Sequence, residues 1–174
     1  IRRGVGHVPA DRQHVGLILD FSIDENLAIK RSDGPAFARR GVLRLAAMRQ
    51  HARRVADDYD IRGAEQATRV RQLSGGNQQK VVLAREIEDG PVLLVAAHPT
   101  RGLDIGATEY VQRRILEQRD RGVAVVLISG ELEELLLLAD RIAVMFRGEI
   151  MGILPGADAP VEVIGRMMLG QREL

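Results

Sequence analysis

Apolar residues recur with two different periods along this chain, and the alternation predicts its elements. Residues 92–97 and 123–128 are continuous apolar runs, which suit buried strands of a parallel sheet. Between them Val111, Ile115 and Leu116 fall at helical spacing and predict a helix over 105–119. Asp104 is placed to cap that helix and Gly122 to end it. Residues 4–9 read as a short strand closed by Pro9, followed by a polar loop over 10–14. Ser22 and Glu25 form a capping box that opens another helix. Phe21, just before that cap, reads as a core or staple residue, with an exposed docking contact as the alternative. Residues 36–60 read as helical with a break near Gly41; Leu43, Ala46, Ala47, Gln50, Arg54 and Val55 lie at helical spacing, with Leu45 and Met48 beside them. A mixed linker over 61–70 follows. Towards the end come a short helix over 131–139, a hairpin about Arg147-Gly148, a loop over 155–158 and a helix over 160–169. In that last helix Val161, Ile164, Met167 and Met168 are apolar, and Met167 and Met168 read as packing residues rather than a binding surface. Strands alternating with helices imply an α/β fold of parallel β-α-β units, interrupted by a helical block over 22–71.

Composition narrows the chemistry. The chain has 174 residues, 45% apolar and 28% charged, ordinary values for one globular domain. Its formal net charge of +1 implies no general attraction to nucleic acid or acidic membranes. Arg39, Arg40, Arg44, Arg49, Arg53 and Arg54 make a basic helical face, but no aromatics are interleaved with them, and a solvated face is the better reading. The absence of cysteine excludes disulfides, thiol catalysis and zinc–thiolate sites. No apolar run approaches the roughly 20 residues of a membrane span, and no signal peptide is visible.

The most informative stretch is Leu73-Ser74-Gly75-Gly76-Asn77-Gln78-Gln79-Lys80. A hydroxyl and two glycines stand directly before a helical pattern. A helix start leaves N–H groups unpaired and carries partial positive charge, and glycines let an anion approach the backbone. That chemistry suits a phosphate. Taken alone, Ser-Gly-Gly is more often the mark of an ordinary capped helix.

The longer string resembles the signature motif of ABC-type ATPases, in the spelling typical of importers for simple sugars and nucleosides. A second block at the family's spacing strengthens the likeness: residues 91–97 resemble the Walker B strand, and His98-Pro99-Thr100-Arg101-Gly102-Leu103-Asp104 the D-loop. The resemblance implies a RecA-like core with an inserted helical subdomain, divided as 1–20 (core strand and Q-loop region), 21–72 (helical subdomain) and 73–174 (signature helix, Walker B strand, D-loop, switch strand and C-terminal hairpin and helix). It implies that Ser74, Gly75, Gly76, Asn77, Gln78 and Asp104 contact ATP held by an opposite nucleotide-binding domain, with Mg²⁺ held mainly there. The implied partners are that second domain, an N-terminal half of the same polypeptide, together with transmembrane permease subunits and an extracytoplasmic substrate-binding protein. The implied location is the cytoplasmic face of the cell membrane, through the permease. No nucleic-acid partner is implied.

The sequence also departs from the family pattern. No Gly-Lys-Ser/Thr phosphate loop is present, which implies the C-terminal portion of a nucleotide-binding domain. Ala97 and His98 stand where the family has the metal-supporting aspartate and the catalytic glutamate, and Gly130 where it has the switch histidine. Ala10 takes the place of the Q-loop glutamine, and Asp11 and Arg12 beside it read equally as ligands or as a solvated turn. These replacements imply that the chain's own hydrolytic site is degenerate. Two competing readings are a non-transport ABC ATPase, for which the coiled-coil insertions and basic linkers are missing, and a degenerate interaction module, against which the intact signature counts.

Overall fold

The computed structural model describes residues 4–63, 68–156 and 159–171, which form two compact units, Ile1–Ile128 and Ser129–Leu174. Part of the expected linker, 64–67, and part of the expected loop at 157–158 lie outside the described residues.

The first unit holds, in chain order, β1 (Val5–Val8), α1 (Ile23–Ala28), β2 (Ala38–Arg39), β3 (Val42–Leu43), α2 (Leu45–Asp58), α3 (Gly75–Ile87), β4 (Leu93–Ala97), α4 (Ile105–Asp120) and β5 (Ala124–Ile128). Its main sheet is parallel in the order β1-β4-β5, with Val5 opposite Leu93 and Leu93 opposite Ala124. The α/β class read from the sequence is therefore the observed one. α3 is the central helix of the unit, packing against α1, α4 and β1. Val81, Val82, Leu83 and Ala84 on it are fully buried, as are Val8, Leu94 and Ala96 on the sheet. Burying a side chain the size of leucine contributes about 1.5–3 kcal/mol, so this seam fixes where the start of α3 sits.

Three expectations give way here. The stretch 36–44 is not helical: Arg40 and Gly41 have φ of 52° and 80°, and the chain folds back so that β2 pairs antiparallel with β3. Left-handed backbone at two successive residues closes a tight hairpin and cannot continue a helix. Consequently α2 begins only at Leu45, and of the residues expected at or beside the helical spacing its buried face keeps Met48 and Val55. Met48, His51, Ala52, Val55 and Ala56 are buried, while Leu43, Ala46, Gln50 and Arg54 are exposed. The run 123–128 is not buried on both faces either. β5 is an edge strand whose Val126 and Ile128 are 48% and 49% exposed. Phe21 is 39% exposed, so it is not a core residue, although its carbonyl accepts from the Val70 N–H at 3.0 Å.

Local signals hold better. Ser22 Oγ accepts from the Glu25 N–H at 3.2 Å and Glu25 Oε2 from the Ser22 N–H at 2.8 Å, which completes the capping box. Asp104 caps α4, and Gly122 at φ 85° follows its end. All six arginines of the basic stretch are exposed.

The second unit holds α5 (Leu132–Leu138), β6 (Arg141–Phe146), β7 (Glu149–Pro155) and α6 (Val161–Met168). β6 and β7 pair antiparallel across Arg147 and Gly148, whose φ of 49° and 86° are those of a tight turn. Ile142, Val144, Ala159, Ile164 and Met167 form its core. Val161 and Met168 are about half exposed, so Met168 does not take its expected packing role; Ile164 and Met167 are the buried residues of α6, with Val163 partly buried beside them. No described helix is long and apolar enough to cross a membrane.

Candidate functional site

The site is built on the first turn of α3. Ser74 is its N-cap, in extended backbone, and its Oγ accepts from the Asn77 N–H at 3.4 Å and from Asn77 Nδ2 at 3.0 Å. Asn77 Oδ1 in turn accepts from the Arg62 N–H at 2.9 Å. The Gln78 N–H begins the helical ladder by bonding the Ser74 carbonyl. Gly75 and Gly76, the first two helical residues, keep their N–H groups outside that ladder. Gln78 is buried, donating from Nε2 to the Val70 carbonyl and accepting from Gln13 Nε2, each at 3.2 Å. Its side chain is engaged internally, so only its backbone belongs to the exposed rim.

A second helix start converges on the first. Asp104 Oδ1 accepts from the Ala107 N–H at 2.8 Å and so caps α4. A Cβ placed on Gly76 would lie 3.0 Å from Ala107 Cβ and 3.9 Å from Asp104 Oδ2. Gly76 is thus required by the close packing of two helix N-termini as well as by any ligand. Two positive dipole ends side by side are suited to an anion. Gln79, buried, donates from Nε2 to the Pro99 carbonyl at 2.7 Å and ties α3 to the turn that leads into α4.

Ala97 ends β4 opposite Ile128. His98 follows at φ 46°, uncommon for a residue with a side chain, and its N–H bonds the Ile128 carbonyl at 2.7 Å. Gly130 lies in the second unit, at the bend before α5, where Ser129 Oγ accepts from the Glu131 N–H at 3.0 Å. The structure therefore brings Ser74, Gly75, Gly76, Asn77, Gln78 and Asp104 together within one unit, with Ala97 and His98 at the end of the central strand of that unit's sheet.

The pair left open in the sequence divides. Asp11 is an exposed turn cap: it accepts from the N–H groups of Gln13 and His14 at 3.0 and 2.9 Å and from His14 Nδ1 at 2.8 Å. The His14 N–H, then the His14 ring, hold its carboxyl below the ordinary value. Arg12 instead turns inward, donating from Nη1 to the Arg101 carbonyl at 2.9 Å. Sequence reasoning also missed Gln13, Gln79 and Ala107, whose roles depend on partners far away in the chain. Behind α3, buried Glu86 accepts from Lys30 Nζ at 2.6 Å and from the His7 N–H at 2.8 Å. Burial, the largest influence, raises its pKa, but the His7 N–H, Lys30 and Arg85 together bring the net below the ordinary value.

No family model matches the chain. Over 170 residues, 98% of its length, it is 45% identical to the guanosine import ATP-binding protein NupO of Bacillus subtilis strain 168. It is 43% identical over 168 residues to the nucleoside import ATP-binding protein NupA of Lactococcus lactis subsp. cremoris. To the ribose import ATP-binding protein RbsA of Lactococcus lactis subsp. lactis it is 37% identical over 170 residues. The chain spans only about a third of the length of these relatives (33%, 33% and 34%). Its fold matches a dimeric post-hydrolysis state of an ATP-binding cassette bound to ADP and Pi, with TM-score 0.66, 23% identity, and coverage of 87% of this chain and 62% of that one. Along nearly its whole length the chain is thus similar to about a third of proteins named as import ATP-binding proteins, and its fold is that of an ATP-binding cassette.

Proposed function

We propose that this chain is the C-terminal part of the second nucleotide-binding domain of an importer for nucleosides or simple sugars. Its signature acts in trans, on ATP held by a partner domain. The observation that carries the reading is the convergence of two capped helix starts at Gly76, Ala107 and Asp104. Relatives named for guanosine and nucleoside import, at 45% and 43% identity, favour nucleosides.

The residues present fit a phosphate: two free glycine N–H groups at a helix start beside a second helix start. They do not fit a Mg²⁺ shell of the chain's own, because the Ala97 side chain offers no oxygen donor where the family has a carboxylate. ATP would supply the anionic γ-phosphate. Ser74, Gly75 and Gly76 bind and orient it, and Asp104 holds the neighbouring helix start in place. His98 is a relic, and hydrolysis belongs to the partner's site. The parts 1–20, 21–72 and 73–174 serve as core strand and Q-loop region, permease-docking helical subdomain and signature-to-C-terminus core. The partners are a second nucleotide-binding domain, permease subunits and an extracytoplasmic binding protein, at the cytoplasmic face of the membrane.

The test is Ser74→Arg in the assembled transporter, which places a bulky cation where the phosphate would sit. ATP turnover is expected to vanish; intact turnover overturns the trans role. A titration of this chain alone with labelled ATP and Mg²⁺ is expected to show no saturable binding up to millimolar nucleotide. Saturable binding lost in Ser74 or His98 variants would assign the chain a pocket of its own.

A further inference from the structure

Arg12 makes no ion pair among the described residues, and its Nε is buried without a hydrogen-bond partner. Its Nη1 donates to the Arg101 carbonyl. Its Nη2 lies 2.8 Å from where a Cβ on Gly75 would be. A guanidinium is thus wedged between the first residue of α3 and the turn that precedes Asp104. A cation at the positive end of a helix is electrostatically unfavourable, and among the described residues no carboxylate lies within ion-pair distance of Arg12 to offset it. A neutral side chain would fill the same space at lower cost, so packing alone does not account for arginine.

The neighbouring contacts point the same way. Arg12–Gly16 is one wide helical turn. Gln13 Nε2 donates to Gln78 Oε1 at 3.2 Å, and Arg85 Nη2 donates to the Gly16 carbonyl at 2.6 Å. This turn therefore runs beside α3 and is bonded to it at successive levels. Arg12 also reaches across to the turn after β4, at the Arg101 carbonyl. Guanidinium is the side chain that can do both, since its planar fork presents several donors at fixed angles.

We infer that Arg12 is a positioning residue: it sets the start of the signature helix relative to the Pro99–Asp104 turn, so that Gly75, Gly76 and Asp104 meet the phosphate in one fixed arrangement. The inference rests on the trans reading of the signature given above. It also assigns Gly75 a second reason to be glycine, because any Cβ there displaces the guanidinium.

The experiment compares Arg12→Gln, Arg12→Lys, Gly75→Ala and the double variant Arg12→Gln/Gly75→Ala in the full-length protein assembled with its permease. Arg12→Gln is expected to lower kcat for ATP by about ten- to a hundredfold, the scale of a small misplacement of reacting groups, with KM within about twofold. Arg12→Lys should be as defective, because an ammonium cannot span both contacts. Gly75→Ala should resemble Arg12→Gln, and the double variant should be no worse than either. Amide exchange without nucleotide should rise together at 75–78 and 100–103 in Arg12→Gln. Full activity in Arg12→Lys, additive losses in the double variant, or unchanged exchange in both segments would each overturn the inference. Ser74→Arg runs alongside: if it leaves turnover intact, the trans reading fails and Arg12 is judged on the exchange data alone.

Discussion

At Gly76 a single methyl group separates two consequences that the sequence presents as one. Its neighbour in space is Ala107 Cβ, on the first turn of another packed helix, whereas the neighbour of Gly75 is the far end of a flexible arginine. Gly76→Val should therefore destabilise the protein by about 1–3 kcal/mol through overpacking. Ala107→Gly should recover part of that loss, and urea unfolding midpoints would measure both. Gly75→Ala should leave stability nearly unchanged, since Arg12 can swing aside. His98 is a different case. Its left-handed backbone is a constraint of the turn, and Asn tolerates that conformation better than most residues. On the proposed function, His98→Asn is expected to keep ATP turnover in the assembled transporter within about twofold, the scale of substitutions outside special sites. A large fall in turnover with the fold intact would assign His98 a role as base.

At the scale of elements, helix starts and the inner face of α4 were legible, and the inner face of α2 was not. Caps are local: Ser22, Ser74 and Asp104 each bond an N–H three residues on, within a window that the sequence displays. Ser22→Ala should accordingly cost about 1 kcal/mol, measurable as a shift in thermal midpoint. The hairpin β2–β3 escaped because arginine carries no warning of positive φ, and because Gly41 reads as a helix break as readily as a turn. The face of α2 was misjudged in consequence, since its register depends on where the helix begins. α3 is the element on which the unit depends most. Leu83→Ala on it, fully buried between its neighbours, should lose about 2–5 kcal/mol, with the spread set by how far the cavity collapses.

At the scale of the whole molecule, acid sensitivity follows from carboxylates held below their ordinary pKa. Glu86 and Glu88 are both depressed, although burial alone would raise each. Glu86 is held down by the His7 N–H, Lys30 and Arg85, and Glu88 by His51 and Arg54. A depressed carboxyl binds fewer protons folded than unfolded, so its contribution is complete above the ordinary value of 4.5 and is lost as pH falls through the lower folded value. Stability measured by urea unfolding is expected to decline below about pH 5. Glu86→Gln should flatten part of that slope and destabilise at neutral pH, because Lys30 and Arg85 lose their partner. An unchanged slope would mean that Glu86 titrates alike in both states.

The amino-acid sequence by itself determined the α/β class, the order of the main strands and helices, the capped helix starts and the kinship with ABC-type proteins. Each of these depends on periodicity, on a cap three residues away or on a contiguous motif. Only the tertiary structure decided that Arg12 is wedged against Gly75, that Gly76 is closed in by Ala107, and that β5 shows an open face. Arg12 meets a carbonyl 89 residues away, and α3 comes to rest where its apolar side meets the sheet. Contacts of that kind carry no local spacing, so nothing in the order of residues announces them before the core forms.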